Sequence, residues 1–321
     1  MFQRIKYYIR GIKKEGLLKT LVASARVKLG ITSQEETICS LKEHVDTLSY
    51  LLNEVVDITS IPPTKNQDLR IMQQCDGLLL AIFDKVCKKH GLTYWLTYGT
   101  LLGAVRHQGF IPWDDDMDVA MPREHFDKLL PILKKEFEEQ GFTISDFDSP
   151  GYLTGFGYQH LKTGTWLDVF PVDTYSSSQE LSQLEEQLKP KIDEYRLLYN
   201  REKDTHDAAY FDAQRQERFV TNGDYKILYH GLEYGWGEYL LYEEKDIYPL
   251  VSLDFEGYSF PVPRHYDMYL RRIFGNYMSF PNSGILLHDL GRGPLHTWAK
   301  KNGIQMTEVK ADLEKILSDY A

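Results

Sequence analysis

The chain has 321 residues, of which 42% are hydrophobic, 26% charged and 13% aromatic, a composition that fits a globular protein and excludes a disordered or fibrous one. Its net charge of −10 excludes a general nucleic-acid binder, which needs a basic footprint. The charge is uneven: residues 1–30 carry eight basic side chains (Arg4, Lys6, Arg10, Lys13, Lys14, Lys19, Arg26, Lys28) against Glu15, so a +7 arm precedes a body of −17.

In that arm, Phe2, Ile5, Ile9 and Ile12, then Leu18, Leu21, Val22, Ala25 and Leu29 recur at spacings of three and four. The pattern predicts basic amphipathic helices, broken near Gly11 or Gly16, that suit peripheral contact with an anionic inner membrane face. A solvated helix packed on the body is the competing reading. Lys19 interrupts the apolar stretch "GLLKTLVASA", so a cleaved leader is not expected, and no run reaches the roughly 18 apolar residues of a membrane span. Residues 31–66 form a second segment. There Ile38, Leu41, Val45, Leu48, Leu52 and Val55 alternate by three and four, an a/d seam read as a homo-oligomer surface, with packing inside the monomer as its competitor. "TSIPPTKNQ" (59–67) then breaks the helix as a linker.

The catalytic domain is assigned to residues 67–321. Leu69, Met72, Leu79, Ile82, Phe83 and Val86 give residues 68–90 a helical period that stops at Gly91. "TYWLTYG" (93–99) reads as a strand ending in a Gly-Thr-Leu-Leu-Gly turn, with a short helix over Leu101–His107. "DMDVAMP" (116–122) reads as a second strand, 123–140 as a helix ending at Gly141, and "TWLDVFPVD" (165–173) as a third strand. Residues 179–218 are helical and charged, 225–242 are crowded with Tyr and Trp, 254–263 form a hairpin or loop, and helices follow over 264–275 and from Thr307. Cys39, Cys75 and Cys87 match no metal spacing and are expected as reduced thiols of a cytoplasmic protein.

"GFIPWDDDMDVAMP" (109–122) puts Asp114, Asp115, Asp116 and Asp118 into five positions beside apolar neighbours. Alternate strand positions point one way, so Asp116 and Asp118 present hard oxygens to one spot, with Asp114 able to join them. Such a cluster becomes favourable around a divalent cation, Mg²⁺ above all and Mn²⁺ as the alternative. A solvated acidic loop is the bland reading. Gly99 and Thr100, in a turn between strand and helix, suit a phosphate, and Asp168 in "TWLDVFPVD" is the natural third carboxylate. A glycine turn, Asp-x-Asp on the next strand and a later strand carboxylate is the nucleotidyltransferase constellation of the polymerase-β-like type. The expected fold class is α+β: a mixed sheet core with surrounding helices and an N-terminal helical extension. Arg106 and His107 could meet phosphate or make structural ion pairs.

"YWLTYGTLLGAVRHQGFIPWDDDMDVAMPREHFDKL", with "LDVFPVD" and "YLRRIFGNYMSFP", resembles the LicD family, which includes fukutin and fukutin-related protein. The resemblance covers roughly residues 67–175 and 258–285 and leaves the zinc-binding cysteines of the fukutin-related branch without a counterpart. It implies a phosphotransferase that moves a phospho-substituted group from a CDP-linked donor to a sugar hydroxyl of a cell-surface glycan precursor (teichoic acid, capsule or lipopolysaccharide), with phosphocholine from CDP-choline as the favoured group and a lipid-linked acceptor. On that model Asp116 and Asp118 hold Mg²⁺, Asp168 shares a metal or takes the hydroxyl proton, and Asp114 assists. Gly99 and Thr100 cradle phosphate, and Arg106 balances charge. Trp95, Tyr98, Trp113, Trp166 and the 225–242 aromatics are candidates for a choline pocket. A polyol phosphate (glycerol or ribitol) is the alternative group. A nucleotidyltransferase using a nucleoside triphosphate and a non-catalytic scaffold are the rival functions.

Overall fold

The structure, a computed structural model, describes residues 34–137, 141–146, 154–158, 165–233, 239–280, 303 and 305–320. The basic arm, most of the "YQHLKTGTW" loop and the aromatics at 234–238 lie outside the described residues.

The chain divides into two compact units. In the first, α1 (Gln34–Val55) is joined by Phe280, whose backbone N–H and C=O both bond the Asn53 side chain, at 2.6 and 3.2 Å. The a/d seam on α1 is exposed among the described residues, from 36% at Val45 to 76% at Val55.

The second unit holds the sheet. Helix α2 (Gln67–His90) starts where the Asn66 side chain accepts the N–H groups of Asp68 and Leu69, and it stops where Gly91 takes a left-handed conformation, φ 64°. Its apolar face, with Leu79, Ile82, Phe83 and Val86 fully buried, packs beneath the sheet. Strand β1 (Trp95–Leu96) leads directly into α3 (Tyr98–His107), then β2 (Asp118–Pro122) and α4 (Arg123–Phe137). Strands β3 (Phe142–Asp146), β4 (Thr154–Tyr158) and the twelve-residue β5 (Trp166–Ser177) follow. Helices α5 (Leu181–Glu202) and α6 (Ala208–Phe219) separate β5 from β6 (Tyr225–His230) and β7 (Leu240–Glu243). A hairpin of β8 (Val251–Phe255) and β9 (Tyr258–Val262), then α7 (Tyr266–Phe274) and α8 (Met306–Asp319), follow, with short helical turns at Ile58–Ser60 and Glu244–Ile247.

The main sheet runs β1-β2-β5-β4-β3, with β6 on β5 and β7 on β6. Among the described strands only β2 and β5 pair in parallel, which requires a crossover between them; β2 is buried on both faces, with Val119, Ala120 and Met121 inaccessible. The architecture is the expected mixed sheet with surrounding helices. Two boundaries differ from the sequence reading. The helix begins at Tyr98, not Leu101, because Tyr98 adopts φ 42° and turns the chain off β1 within one residue. Strand β2 begins at Asp118, leaving Asp116 in the preceding loop.

Of the aromatics at 225–242, Tyr229 and Tyr242 are buried, Tyr239 is half-buried and Tyr225 is exposed; Tyr229 packs with Tyr175 and Phe219 beneath α5 and α6. An ionic network ties those helices to the sheet. Glu233 accepts from Arg123, Arg215 and Tyr195 at 3.1, 2.7 and 3.0 Å, and Asp173 pairs with Arg123 at 2.8 Å. Cys75 and Cys87 are buried and Cys39 is exposed, all as thiols. Among the described residues, no helix is long and apolar enough to cross a membrane.

Candidate active site

The parallel register sets Asp118 on β2 directly opposite Asp168 on β5. The Asp168 N–H donates to the Met117 carbonyl at 2.8 Å, so the two carboxylates leave neighbouring strands where the 113–117 loop enters. The start of α3 holds Asp118 from the other side. The Gly99 N–H donates to its carboxylate, and its own N–H donates to the Thr100 hydroxyl at 2.8 Å. Thr100 is buried, so both residues expected to cradle phosphate are engaged in orienting Asp118.

The loop is pinned by Gln73 of α2, whose side-chain amide donates to the Asp114 carbonyl at 2.9 Å. One oxygen from each of Asp114, Asp115 and Asp116 lies within 4.8 Å of the others, all three residues half-buried. Asp115, which sequence reasoning left out of the ligand set, therefore belongs to the tightest group. Asp114 lies so close to Gly99 that a Cβ there would sit 2.7 Å from its Oδ2. The backbone at this corner accepts only glycine without displacing the carboxylate.

Electrostatics bind the pieces into one site. Burial pushes the Asp118 carboxyl well above the usual range, and the charges of Asp116, Asp168 and Asp114 add to the push. Asp168 is raised to about 6, chiefly by burial; the indole N–H of Trp166, 2.6 Å from Oδ1, opposes the shift and Asp116 reinforces it. A further carboxylate, Asp76 of α2, is fully buried. Its Oδ1 accepts the Trp166 backbone N–H at 3.1 Å, and its Oδ2 has no hydrogen-bond partner. Burial lifts its carboxyl well above the usual range, with Asp115 and Asp116 adding to the effect. The signal for Asp76 was present in the sequence: it falls four residues after Met72 and three before Leu79, on the inward face of α2.

Several buried carboxylates around one point repel unless positive charge joins them. The donor set is all hard oxygen and contains a buried orphan, so it fits Mg²⁺ or Mn²⁺ and not a thiophilic ion. The other predicted residues divide. Trp166 lies at the site and Tyr98 is half-buried at the head of α3, its ring against Phe170 and His230. Trp113 is half-buried beside Asp114, whereas Trp95 is core and unavailable to a ligand. Among the described residues Arg106 and His107 make no ion pair; they line a cavity at the other end of α3 whose acidic lining residue is Glu256 and not an aspartate of the cluster, although the charge of Asp114 acts on Arg106.

Residues 91–195 match the family model described as LicD/FKTN/FKRP, nucleotidyltransferase domain. The chain is 24% identical over 252 residues to the lipopolysaccharide cholinephosphotransferase LicD of Haemophilus influenzae, covering 68% of this chain and 94% of that protein. A stretch of 60 residues is 48% identical to an uncharacterized protein of Rickettsia prowazekii, 18% of this chain and 21% of the relative. A stretch of 51 residues is 37% identical to mannosyltransferase regulator 4 of Saccharomyces cerevisiae, 16% of this chain and 4% of that protein.

Proposed function

Starting from a chain that carries a LicD-family nucleotidyltransferase domain, we propose that it is a divalent-cation-dependent phosphotransferase that moves phosphocholine from CDP-choline to a sugar hydroxyl of a cell-surface glycan precursor, with release of CMP. The observation that carries this reading is the placement of Asp118 opposite Asp168, beside Asp114, Asp115 and Asp116 at the head of α3. The named activity of the Haemophilus relative supports phosphocholine as the group moved.

Asp114, Asp116, Asp118 and Asp168 would hold the cation, with Asp115 beside them. When bound, Mg²⁺ or Mn²⁺ supplies charge neutralisation for the donor diphosphate and the departing CMP. The chain's own residues do the rest. Gly99 and Thr100 fix Asp118, Gln73 fixes the loop, and the Trp166 indole holds Asp168 through Oδ1. Asp168 Oδ2 is then the atom to take the proton of the attacking hydroxyl, and a carboxyl raised to about 6 suits a general base near neutral pH. The faces of Tyr98, Trp113 and Trp166 suit a trimethylammonium group. The basic stretch 1–30 would bring the enzyme to an anionic membrane face and so to a lipid-linked acceptor.

The test is turnover of CDP-choline, CDP-glycerol and CDP-ribitol with Mg²⁺, read as CMP release and as calorimetric binding. CDP-choline should be preferred, and Asp116→Asn or Asp118→Asn should lower the rate at least ~100-fold with folding intact. Preference for a polyol donor would replace the substrate and keep the chemistry. Turnover of a nucleoside triphosphate with the nucleotide retained on the product would replace the reaction.

A further inference from the structure

The loop that carries the acidic residues is fastened from a part of the chain more than a hundred residues away. Strands β8 and β9 are joined by a two-residue turn, Glu256 and Gly257, with Phe255 paired to Tyr258. Both turn residues have positive φ, 51° and 84°. A two-residue hairpin needs that backbone, and Gly, Asn and Asp adopt it at least cost. A glutamate there is strained, and the turn itself has no use for its side chain.

That side chain is fully engaged elsewhere. Its Oε1 accepts from Arg70 Nη1 at 2.9 Å and from the Phe110 N–H at 3.2 Å, and its Oε2 accepts from Arg70 Nη2 at 2.7 Å. The Glu256 N–H donates to the Gln108 carbonyl at 3.1 Å. Two glycines clear the way. A Cβ on Gly109 would lie 2.6 Å from Oε1, and one on Gly77 would lie 3.1 Å from the Glu256 Cβ. The rings of Phe110 and Phe255 meet at 4.9 Å. The hairpin tip is thereby locked to α2 and to the start of the loop.

Arg70 carries that hold inward. Its Nη1 also donates to Gln73 Oε1 at 3.3 Å. A glutamine amide has one acceptor end and one donor end. With the guanidinium on the acceptor, the donor end Nε2 faces the loop, where it meets the Asp114 carbonyl at 2.9 Å and the Ile111 carbonyl at 3.4 Å. Turned over, the amide would set its oxygen against two carbonyl oxygens. Glu256 fixes Arg70 by a two-pronged pair, and Arg70 fixes the sense of Gln73. The loop so held is the one on which Asp114, Asp115 and Asp116 each bring an oxygen within 4.8 Å of the others.

We infer that Glu256 is a positioning residue for the cation site, acting through Arg70 and Gln73 on the loop of Asp114, Asp115 and Asp116. The inference rests on the reading above that these carboxylates hold the cation, and not on the identity of the group transferred. Residues 70, 73 and 256 all lie outside the 91–195 stretch that matches the family model.

The test is Mn²⁺ binding to the full chain by calorimetry, with hydrogen exchange of the 108–116 amides read in EDTA. Glu256→Gln and Arg70→Met should each weaken Mn²⁺ binding about 10- to 100-fold and speed exchange at Phe110 and Asp114 by a similar factor. The two changes combined should weaken binding no more than the stronger of them alone. Arg70→Met decides by sign. It removes a positive charge, so a field effect would tighten cation binding, whereas loss of position weakens it. Arg70 is partly exposed in the first turn of α2, so this variant remains informative if Glu256→Gln fails to fold. Glu136→Gln disturbs a comparably buried carboxylate bonded to Lys89, His90 and Tyr320, and should leave both readouts at wild-type values. Mn²⁺ affinity unchanged or raised in Arg70→Met, an equal loss in Glu136→Gln, or a wild-type chain that binds no Mn²⁺ would overturn the inference. Turnover of CDP-choline with Mn²⁺ affinity unaltered in both loop variants would discard the positioning role and keep the reaction. Weakened Mn²⁺ binding in those variants of a chain that turns over no CDP donor would do the reverse.

Discussion

Gly155→Ala should be among the most damaging small substitutions in this protein. The Trp166 indole lies across β4 where Gly155 and Gly157 have no side chains, and a Cβ on Gly155 would fall 1.5 Å from Cζ2 and 2.3 Å from Cη2 of that ring. The ring cannot swing aside freely. Its backbone N–H is held by Asp76 and its Nε1 by Asp168. The added methyl must both strain the strand, at about 1–3 kcal/mol, and evict the indole from Asp168, where a hydrogen bond to a carboxylate is worth about 1.5–3 kcal/mol. Replacing glycine in a strand returns about 0.5–1 kcal/mol. The net expectation is a loss of about 2–5 kcal/mol, read from urea denaturation monitored by circular dichroism. Trp166→Ala opens the space the methyl needs, so Gly155→Ala combined with Trp166→Ala should cost at least ~2 kcal/mol less than the two single losses added together. A Gly155→Ala loss under ~1 kcal/mol, or simple additivity, would refute the idea that the indole is locked between Asp76, Asp168 and bare strand.

Other consequences are equally open to measurement. Asp168 has a folded pKa raised to about 6 from an ordinary 3.8, so the stability linked to it is complete below about 3.8 and is lost as pH rises through 6. In EDTA, Asp168→Asn should therefore match the wild type near pH 4 and exceed it by up to about 3 kcal/mol at pH 7.5; an Asn variant that is less stable at the higher pH would refute this. Saturating Mg²⁺ should raise the wild-type midpoint at pH 7.5 and leave that of Asp168→Asn nearly unmoved, as followed by thermal melts. Gly99→Ala forces Asp114 to turn away and should weaken Mn²⁺ binding about tenfold by calorimetry, with stability within ~1 kcal/mol. Glu233→Gln leaves Arg123 and Arg215 sharing Asp173 in a buried setting and should cost about 3–5 kcal/mol in urea; a loss below 1 kcal/mol would mean that water already reaches the network.

The carboxylate core of the site was legible because strand chemistry is local. Asp118 and Asp168 each sit in a run of apolar β-formers, and both runs proved to be strands. What the sequence hid was set by pairing over distance. Strand β1 is two residues long because Trp95 and Leu96 alone meet Ala120 and Val119, and no propensity scale encodes that limit. The same limit places Asp116 in a loop, where Asp115 can join it, so alternation along a strand was the wrong rule for choosing between the two. Asp76 was passed over for a different reason. Helical periodicity marks which face turns inward, and a carboxylate on that face is recognised as functional only once the fold sets the acidic loop beside it. Arg106 and His107 follow closely on Gly99 and Thr100 in sequence, yet a single helix carries them to its far end.

The stretch that matches the family model opens at residue 91, one position after α2 ends. Yet Gln73, which pins the acidic loop, and Asp76, which anchors the strand bearing Trp166, both belong to α2. Helix α8, with Val309 and Leu313 buried, packs on the same helix from the other end of the chain, and Cys75 of α2 reaches the Met306 carbonyl. The segment that carries the family's signature is thus not portable. Grafted elsewhere or expressed from 91 to 195 alone, it would bring the ligand residues without the struts that aim them, and it would expose the underside of its sheet. A homologue assembled by recombination at those boundaries would inherit the motif and lose the site, so the useful cutting point for engineering lies ahead of Asn66.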